Sequence, residues 1–304
     1  MVAYSGVILT ALTVLSVTVP VHAGEIEPRA YSNAPPGVNF LLAGYAYTEG
    51  GLSTVASSPL QDAQLTIHTE VLAYARTLDM WGKSGKFDVI LPYSQLSGTA
   101  MYEGIQYERN VSGFNNPLFR FSTNFYGAPA MSLQEFARYR QDLIIGGSIQ
   151  VSAPLGQYDS DRLVNIGINR WFVKPELGIS KAVGPLTLEL TAGVTFFTDN
   201  DDYFNGRRLE QDPVYTTQLH ATYNFGRGIW IALSGAYDFG GTTTVNGVSK
   251  DDHLSNSRVG ATLSMPVNKN NSIKLYASSG VATRRGTDYD LIGTVWQYRW
   301  GNGL

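Results

Sequence analysis

In the stretch HLSNSR, His253 to Arg258, an imidazole stands two residues from a hydroxyl. Residues i and i+2 share one face of a strand, so His253 could take the proton of Ser255 and turn it into a nucleophile. A second constellation is DNDDYFNG, Asp199 to Gly206, whose carboxylates could meet Ca²⁺. It lacks the ligand spacing and the closing Glu of a calcium loop, and it reads more simply as a solvated loop. Arg207 with Arg208, and Arg284 with Arg285, make two cationic pairs that could meet phosphates, or that need no partner in water. Cysteine is absent and no pair of the 4 His has helical metal spacing, so neither a thiolate site, a metal nor a cofactor is expected. The 22 Lys and Arg are scattered among 25 Asp and Glu, with no basic stripe for nucleic acid.

The elements that must position these groups come from the rest of the composition. Among 304 residues, 32 Gly and 18 Tyr with only 15% charged residues favour strands and tight turns over helices. The N-terminus reads as an export signal over 1–23: apolar from Val7 to Val19, then Pro20 and a small-residue cleavage pattern ending at Ala23. No Lys or Arg precedes it, and the alternative is an uncleaved anchor, for which the stretch falls short of the ~20 residues that span a bilayer. Residues 24–37 then form a mature N-terminal extension, and 38–304 a single domain.

That domain repeats one pattern. In PLTLELTAGVTFF, Leu186, Leu188, Leu190, Ala192, Val194 and Phe196 alternate with Thr187, Glu189, Thr191, Gly193, Thr195 and Phe197. Such segments fall near 38–47, 64–78, 85–95, 117–125, 140–153, 170–181, 185–198, 213–225, 228–240, 257–266, 272–282 and 290–300. Links on one side are brief, as in AVGP and GRG. Those on the other are long and polar, as in the stretch 96–116 and GTTTVNGVSKDDHLSN. An even strand count with loops sorted in this way predicts an all-β transmembrane outer-membrane β-barrel of about 12 antiparallel strands, with short periplasmic turns and long extracellular loops. MSLQEFARYR, in the longest of the short-side links, has capping-box spacing between Ser132 and Glu135 and predicts a short helix.

In lipid such a barrel turns its apolar face outward. Trp296, Tyr298 and Trp300 then form a membrane-interface girdle at the periplasmic rim. The other faces carry charges of both signs, among them Asp142. From them Arg120, Lys174, Glu176, Glu189, His220 and Arg299, with the inward rings of Phe172, Phe197 and Trp230, are the candidates for a solute pathway. The alternative is that they fill and charge-balance the interior.

The stretches KFDVILPY, SIQVSAPLGQYD, NRWFVKPELGISKAVGP, FFTDNDDYF, NSRVGATLSMPVN and VWQYRWGNGL resemble the outer-membrane proteins grouped under the meta-pathway of phenol degradation. The resemblance runs from about residue 35 to the end, and it implies a transporter-like barrel in the bacterial outer membrane. HLSNSR resembles the His-x-Ser-Asn-Gly-Arg motif of outer-membrane phospholipase A. Here Ser257 stands where that motif has Gly, and Val267 occupies the place of the orienting Asn, with Asn268 one step off on the other face. The expectation is therefore a channel or transporter for small hydrophobic, including aromatic, compounds, with no catalytic residues; a lipid hydrolase using His253 and Ser255 is the alternative. Outer-membrane lipids, lipopolysaccharide and the solutes themselves are its expected partners.

Overall fold

Alternating side chains make strands that want one apolar surround, and in hydrocarbon every backbone N–H and C=O must also pair within the chain. The computed structural model meets both demands; it describes residues 26–52, 60–284 and 287–301. The leader read at 1–23 lies outside them. From the N-terminal end the strands are β1 (Asn39–Leu52), β2 (Gln61–Met80), β3 (Lys83–Tyr102), β4 (Ile105–Phe114) and β5 (Leu118–Tyr126). The short helix α1 (Leu133–Phe136) follows, then β6 (Leu143–Ser152), β7 (Phe172–Val183) and β8 (Leu186–Phe197). Next come β9 (Asn200–Tyr203), β10 (Arg207–Gln211), β11 (Val214–Gly226), β12 (Ile229–Gly240), β13 (Thr243–Val245) and β14 (Val248–Ser249). The chain finishes on β15 (Leu254–Pro266), β16 (Asn271–Ala282) and β17 (Thr287–Trp300).

Twelve of these, β1, β2, β3, β5, β6, β7, β8, β11, β12, β15, β16 and β17, pair in order as an antiparallel closed barrel. Closure comes from β1 against β17, in register from Asn39↔Trp300 to Leu52↔Thr287. The outward face is apolar: Leu219 and Leu233 are 60% and 63% exposed, while Gln218, His220 and Ser234 beside them are buried inside. Trp296, Tyr298 and Trp300 point outward at the rim of the short turns, stacked at 6.2 and 5.6 Å, as a girdle requires. The protein is thus a β-barrel of the bacterial outer membrane, with both ends of its barrel-forming segment on the periplasmic side.

The short turns use left-handed backbone at Trp81–Gly82, Gly184 and Arg227–Gly228. In the longer periplasmic link Ser132 caps α1, and its N–H donates to Glu135 at 2.8 Å. These bonds hold the Glu135 carboxyl below the usual range.

Three stretches expected as loops are instead largely sheet. β3 runs on to Tyr102, turns at Glu103–Gly104 with φ of 50° and 79°, and returns as β4. Its partner changes from β5 to β4 around Pro92, which has no N–H to give and whose carbonyl accepts from Asn115. The links 198–213 and 241–253 join as a second sheet, in the order β14-β13-β10-β9. The β13–β14 hairpin turns at Asn246–Gly247, the two-residue turn that Asn-Gly favours, and β9–β10 turns over the three residues Phe204 to Gly206, with Asn205 and Gly206 also at positive φ.

Two outcomes follow. Epitope tags inserted at Asn205 or Gly247 label on intact cells, and tags at Gly184, Gly226 or Asn270 do not; labelling of the turns alone would reverse the topology. Leu190→Arg puts a charge on the lipid face near mid-strand at a cost of about 2–4 kcal/mol and lowers the heat-modifiable folded fraction, whereas Leu190→Phe leaves it unchanged. Equal loss in both would mean that β8 is turned the other way.

Candidate functional site

A barrel built this way encloses a lumen, and the chain fills part of it with its N-terminal segment. Residues 26–38 precede β1 and lie inside, with Glu27, Arg29, Tyr31, Asn33, Ala34 and Val38 all buried. At the periplasmic rim the segment is tied to the wall by backbone: Gly37 N–H donates to the Thr77 carbonyl at 2.9 Å, and the Ser84 hydroxyl donates to the Ala34 carbonyl at 3.1 Å. Further in, side chains hold it.

Tyr31 donates to Glu176 at 3.0 Å, and its ring lies flat where β6 and β7 carry Gly146 and Gly178. A Cβ at Gly178 would fall 2.2 Å from that ring, so any other residue there would displace it. Arg29 has φ of 69°, a left-handed conformation that costs a non-glycine residue, and is kept there by its N–H to the Glu189 carboxylate at 2.6 Å. Its guanidinium donates to Asn224 at 2.9 Å and lies 5.4 Å from the Trp230 ring. Glu27 accepts both terminal nitrogens of Arg120, one at 2.9 Å, while Arg120 Nε donates to Asp88 at 2.9 Å. Lys86 stands 3.6 Å from the same Asp88.

The inner wall has two characters. On β17, β1, β2, β3 and β5 it holds an apolar cluster beside the buried Lys86, Asp88 and Arg120: Phe40, Leu42, Val71, Ala73, Ile90, Leu118 and Val295 are buried together with Phe172 and with Ala34 and Val38 of the segment. On β7, β8, β11, β12, β15 and β16 it carries Lys174, Glu176, Glu189, His220, Asp238, Arg258 and Lys274. Beside the segment lie two small voids, of about 20 and about 10 Å³, each room for roughly one water. Toward the periplasm the lumen widens to a cavity of about 250 Å³ lined by Arg29, Asn33, Phe136, Tyr139 and Arg140.

Of the residues singled out in the sequence, Arg120, Glu176, Glu189 and Trp230 meet at the segment. Lys174 pairs with Glu176 at 3.3 Å, and His220 Nδ1 contacts the Ser234 hydroxyl at 2.8 Å, leaving Nε2 without a partner among the described residues. Phe172 and Phe197 pack edge-to-face at 6.2 Å, with the Arg170 guanidinium 4.4 Å from the Phe197 ring. Two charged residues expected to face the lumen lie at its periplasmic rim, Arg299 on the inward face of β17 that also carries Val295 and Gln297. Arg299 donates to the Lys269 carbonyl at 2.8 Å, fastening the β15–β16 turn, and Asp142 is exposed and paired with Lys181. Sequence reasoning missed Glu27, Arg29 and Tyr31, which sit in the irregular stretch EIEPRAYSNAPPGV.

The other constellations resolve locally. Arg208 pairs with Asp199, and with Asp201 and Glu210 at 3.5 and 3.0 Å, so the acidic stretch spends its charge on an arginine. Among the described residues no group of three or more His, Asp and Glu is arranged to hold a metal ion. Arg284 donates to Asp251 at 2.7 Å and to the His253 carbonyl at 2.9 Å; Arg285 lies outside the described residues. The Ser255 hydroxyl is 3.0 Å from that of Tyr237 on the outward face, while the His253 ring faces Asp251 at 4.0 Å.

The fold is similar to that of the COG4313 outer membrane channel from Pseudomonas putida F1, with a TM-score of 0.77 and 19% identity over 91% of this chain and 100% of that one. A looser likeness, at a TM-score of 0.45 and 11% identity, joins it to the Pseudomonas putida toluene transporter TodX over 92% of this chain and 95% of that one. No curated protein sequence matches. Residues 44–293 match the family described as the MetA-pathway of phenol degradation. That match spans most of the barrel, and the chain belongs to this family as one of its outer-membrane β-barrels.

Proposed function

We propose that the protein is a channel for small solutes with an apolar, often aromatic body, closed by its own N-terminal segment and opened when that segment moves. The observation that carries this reading is that residues 26–34 belong to no strand, and that side-chain bonds hold them across the lumen. A barrel of this strand number is narrow, so one such segment suffices to close it. Bonds to charged groups contribute about 1.5–3 kcal/mol each, net of the bonds to water that replace them when the segment leaves. A closed-to-open ratio near 99:1 needs only about 2.7 kcal/mol, within the reach of such a set.

The solute class draws on the apolar inner wall, where Ile90, Leu118 and Phe172 would contact a ring while Arg120 and Glu176 offer polar anchors. The name of the family, which links it to phenol degradation, supports the same class. The description of the similar Pseudomonas putida structure as an outer membrane channel supports the channel role itself.

In planar bilayers the wild-type protein conducts in rare openings. Gly178→Val, which removes the seat of the Tyr31 ring, and Tyr31→Ala each raise the open probability at least tenfold while the barrel stays heat-modifiable. A strain lacking the gene takes up small aromatic solutes more slowly at limiting concentration. Conductance unchanged in both variants, together with unchanged uptake over a broad solute panel, would leave the barrel a purely structural role.

A further inference from the structure

Within that channel reading, on which the inference rests, Arg120 is held unlike a residue that merely balances charge. Asp88 is fully buried and takes Arg120 Nε at 2.9 Å, which fixes the plane of the guanidinium. The two remaining nitrogens then point together into the lumen, and both are met by one carboxylate. Paired parallel N–H donors on a rigid fork are the geometry that recognises a carboxylate, and a fork oriented beforehand loses little freedom on binding. Lys86, 3.6 Å from Asp88, and the fully buried Lys274 add positive charge that also bears on Glu27.

The carboxylate that occupies this fork comes from outside the sheet. Glu27 is delivered by the segment, and its own N–H is held by the Gln218 side chain at 3.2 Å. One pleat above Arg120, on the same inward face of β5, is Leu118; Ile90 lies directly across from it on β3, and Phe172 belongs to the same apolar cluster. The wall thus offers a fork for an anion and, next to it toward the outer rim, a surface for a ring.

We infer that Arg120 with its Asp88 support is a binding site for the carboxylate of a small aromatic acid, and that Glu27 occupies it in the closed channel in the solute's place. A solute of this kind competes with Glu27 for Arg120, so its arrival and the release of the segment are one exchange.

Benzoate and benzamide, nearly equal in size and differing in charge, test this with full-length protein in liposomes. Glu27→Gln keeps the shape of the side chain and empties the fork of charge; in this variant benzoate is expected to pass at least tenfold faster than benzamide. Adding Arg120→Gln brings the ratio to about one. Arg120→Lys, which keeps the charge and loses the second donor, gives a value between them and serves if Arg120→Gln does not fold. On the wild-type channel benzoate raises the open probability and benzamide does not. Equal passage of the two probes through folded Glu27→Gln would overturn the carboxylate site and leave the channel standing. Passage of neither through Glu27→Gln or Gly178→Val, both folded, would overturn the channel reading and this inference with it.

Discussion

The ladder between β1 and β17 is the interaction on which everything else depends. An open sheet in hydrocarbon would leave two edges of unpaired amides, each costing several kcal/mol, so the strands have to come round and meet. Once they do, the sidedness of every residue is decided. Leu190 and Leu233 face lipid, and Glu189 and Ser234, adjacent along the chain, face inward. Closure also commits one face of every strand to lipid, so only the inward faces are left to stabilise the interior. The inside must be occupied by water or by chain.

Here it is occupied by chain, and the occupant is matched to two different walls. Ala34 and Val38 lie against the apolar patch of β1, β2 and β3, while Glu27 reaches Arg120 on β5 and, across the lumen, Arg29 and Tyr31 reach Glu189 on β8 and Glu176 on β7. Buried charges are tolerable only when paired and hydrogen-bonded. Arg120 lies between Asp88 of the wall and Glu27 of the segment, so the stability of the wall charge is linked to where the segment is. Glycines at 146 and 178 serve the same end by sterics, leaving a shelf on which only a flat ring sits.

Much of this was legible in the sequence. The expected strands 185–198, 213–225 and 228–240 match β8, β11 and β12 within two residues, because period-two alternation between lipid and lumen leaves a direct trace. The girdle and the capping box were legible for the same local reason. The β9–β10 and β13–β14 hairpins carried a readable sign too, in the Asn-Gly pairs at 205–206 and 246–247, which long polar links masked. The occupied lumen left no such trace. The segment has no periodicity, and its partners are remote: Glu27 meets Arg120 from 93 residues away, Arg29 meets Glu189 from 160, and Glu27 meets Gln218 from 191. A pattern within a short window cannot encode a pairing over that distance.

The same separations govern the order of assembly. Contacts between residues far apart in the chain form late, because the intervening loop must close before they return any stabilisation. Glu27, Arg29 and Tyr31 can reach their partners only when β5, β7, β8 and β11 stand together around them. The segment emerges first from synthesis yet is seated last. Between the sealing of the wall and the arrival of that segment there is an interval in which the lumen is uncovered. Seating the segment is then the step that brings Glu27 to Arg120 and the Arg29 N–H to Glu189 inside a wall that has already closed.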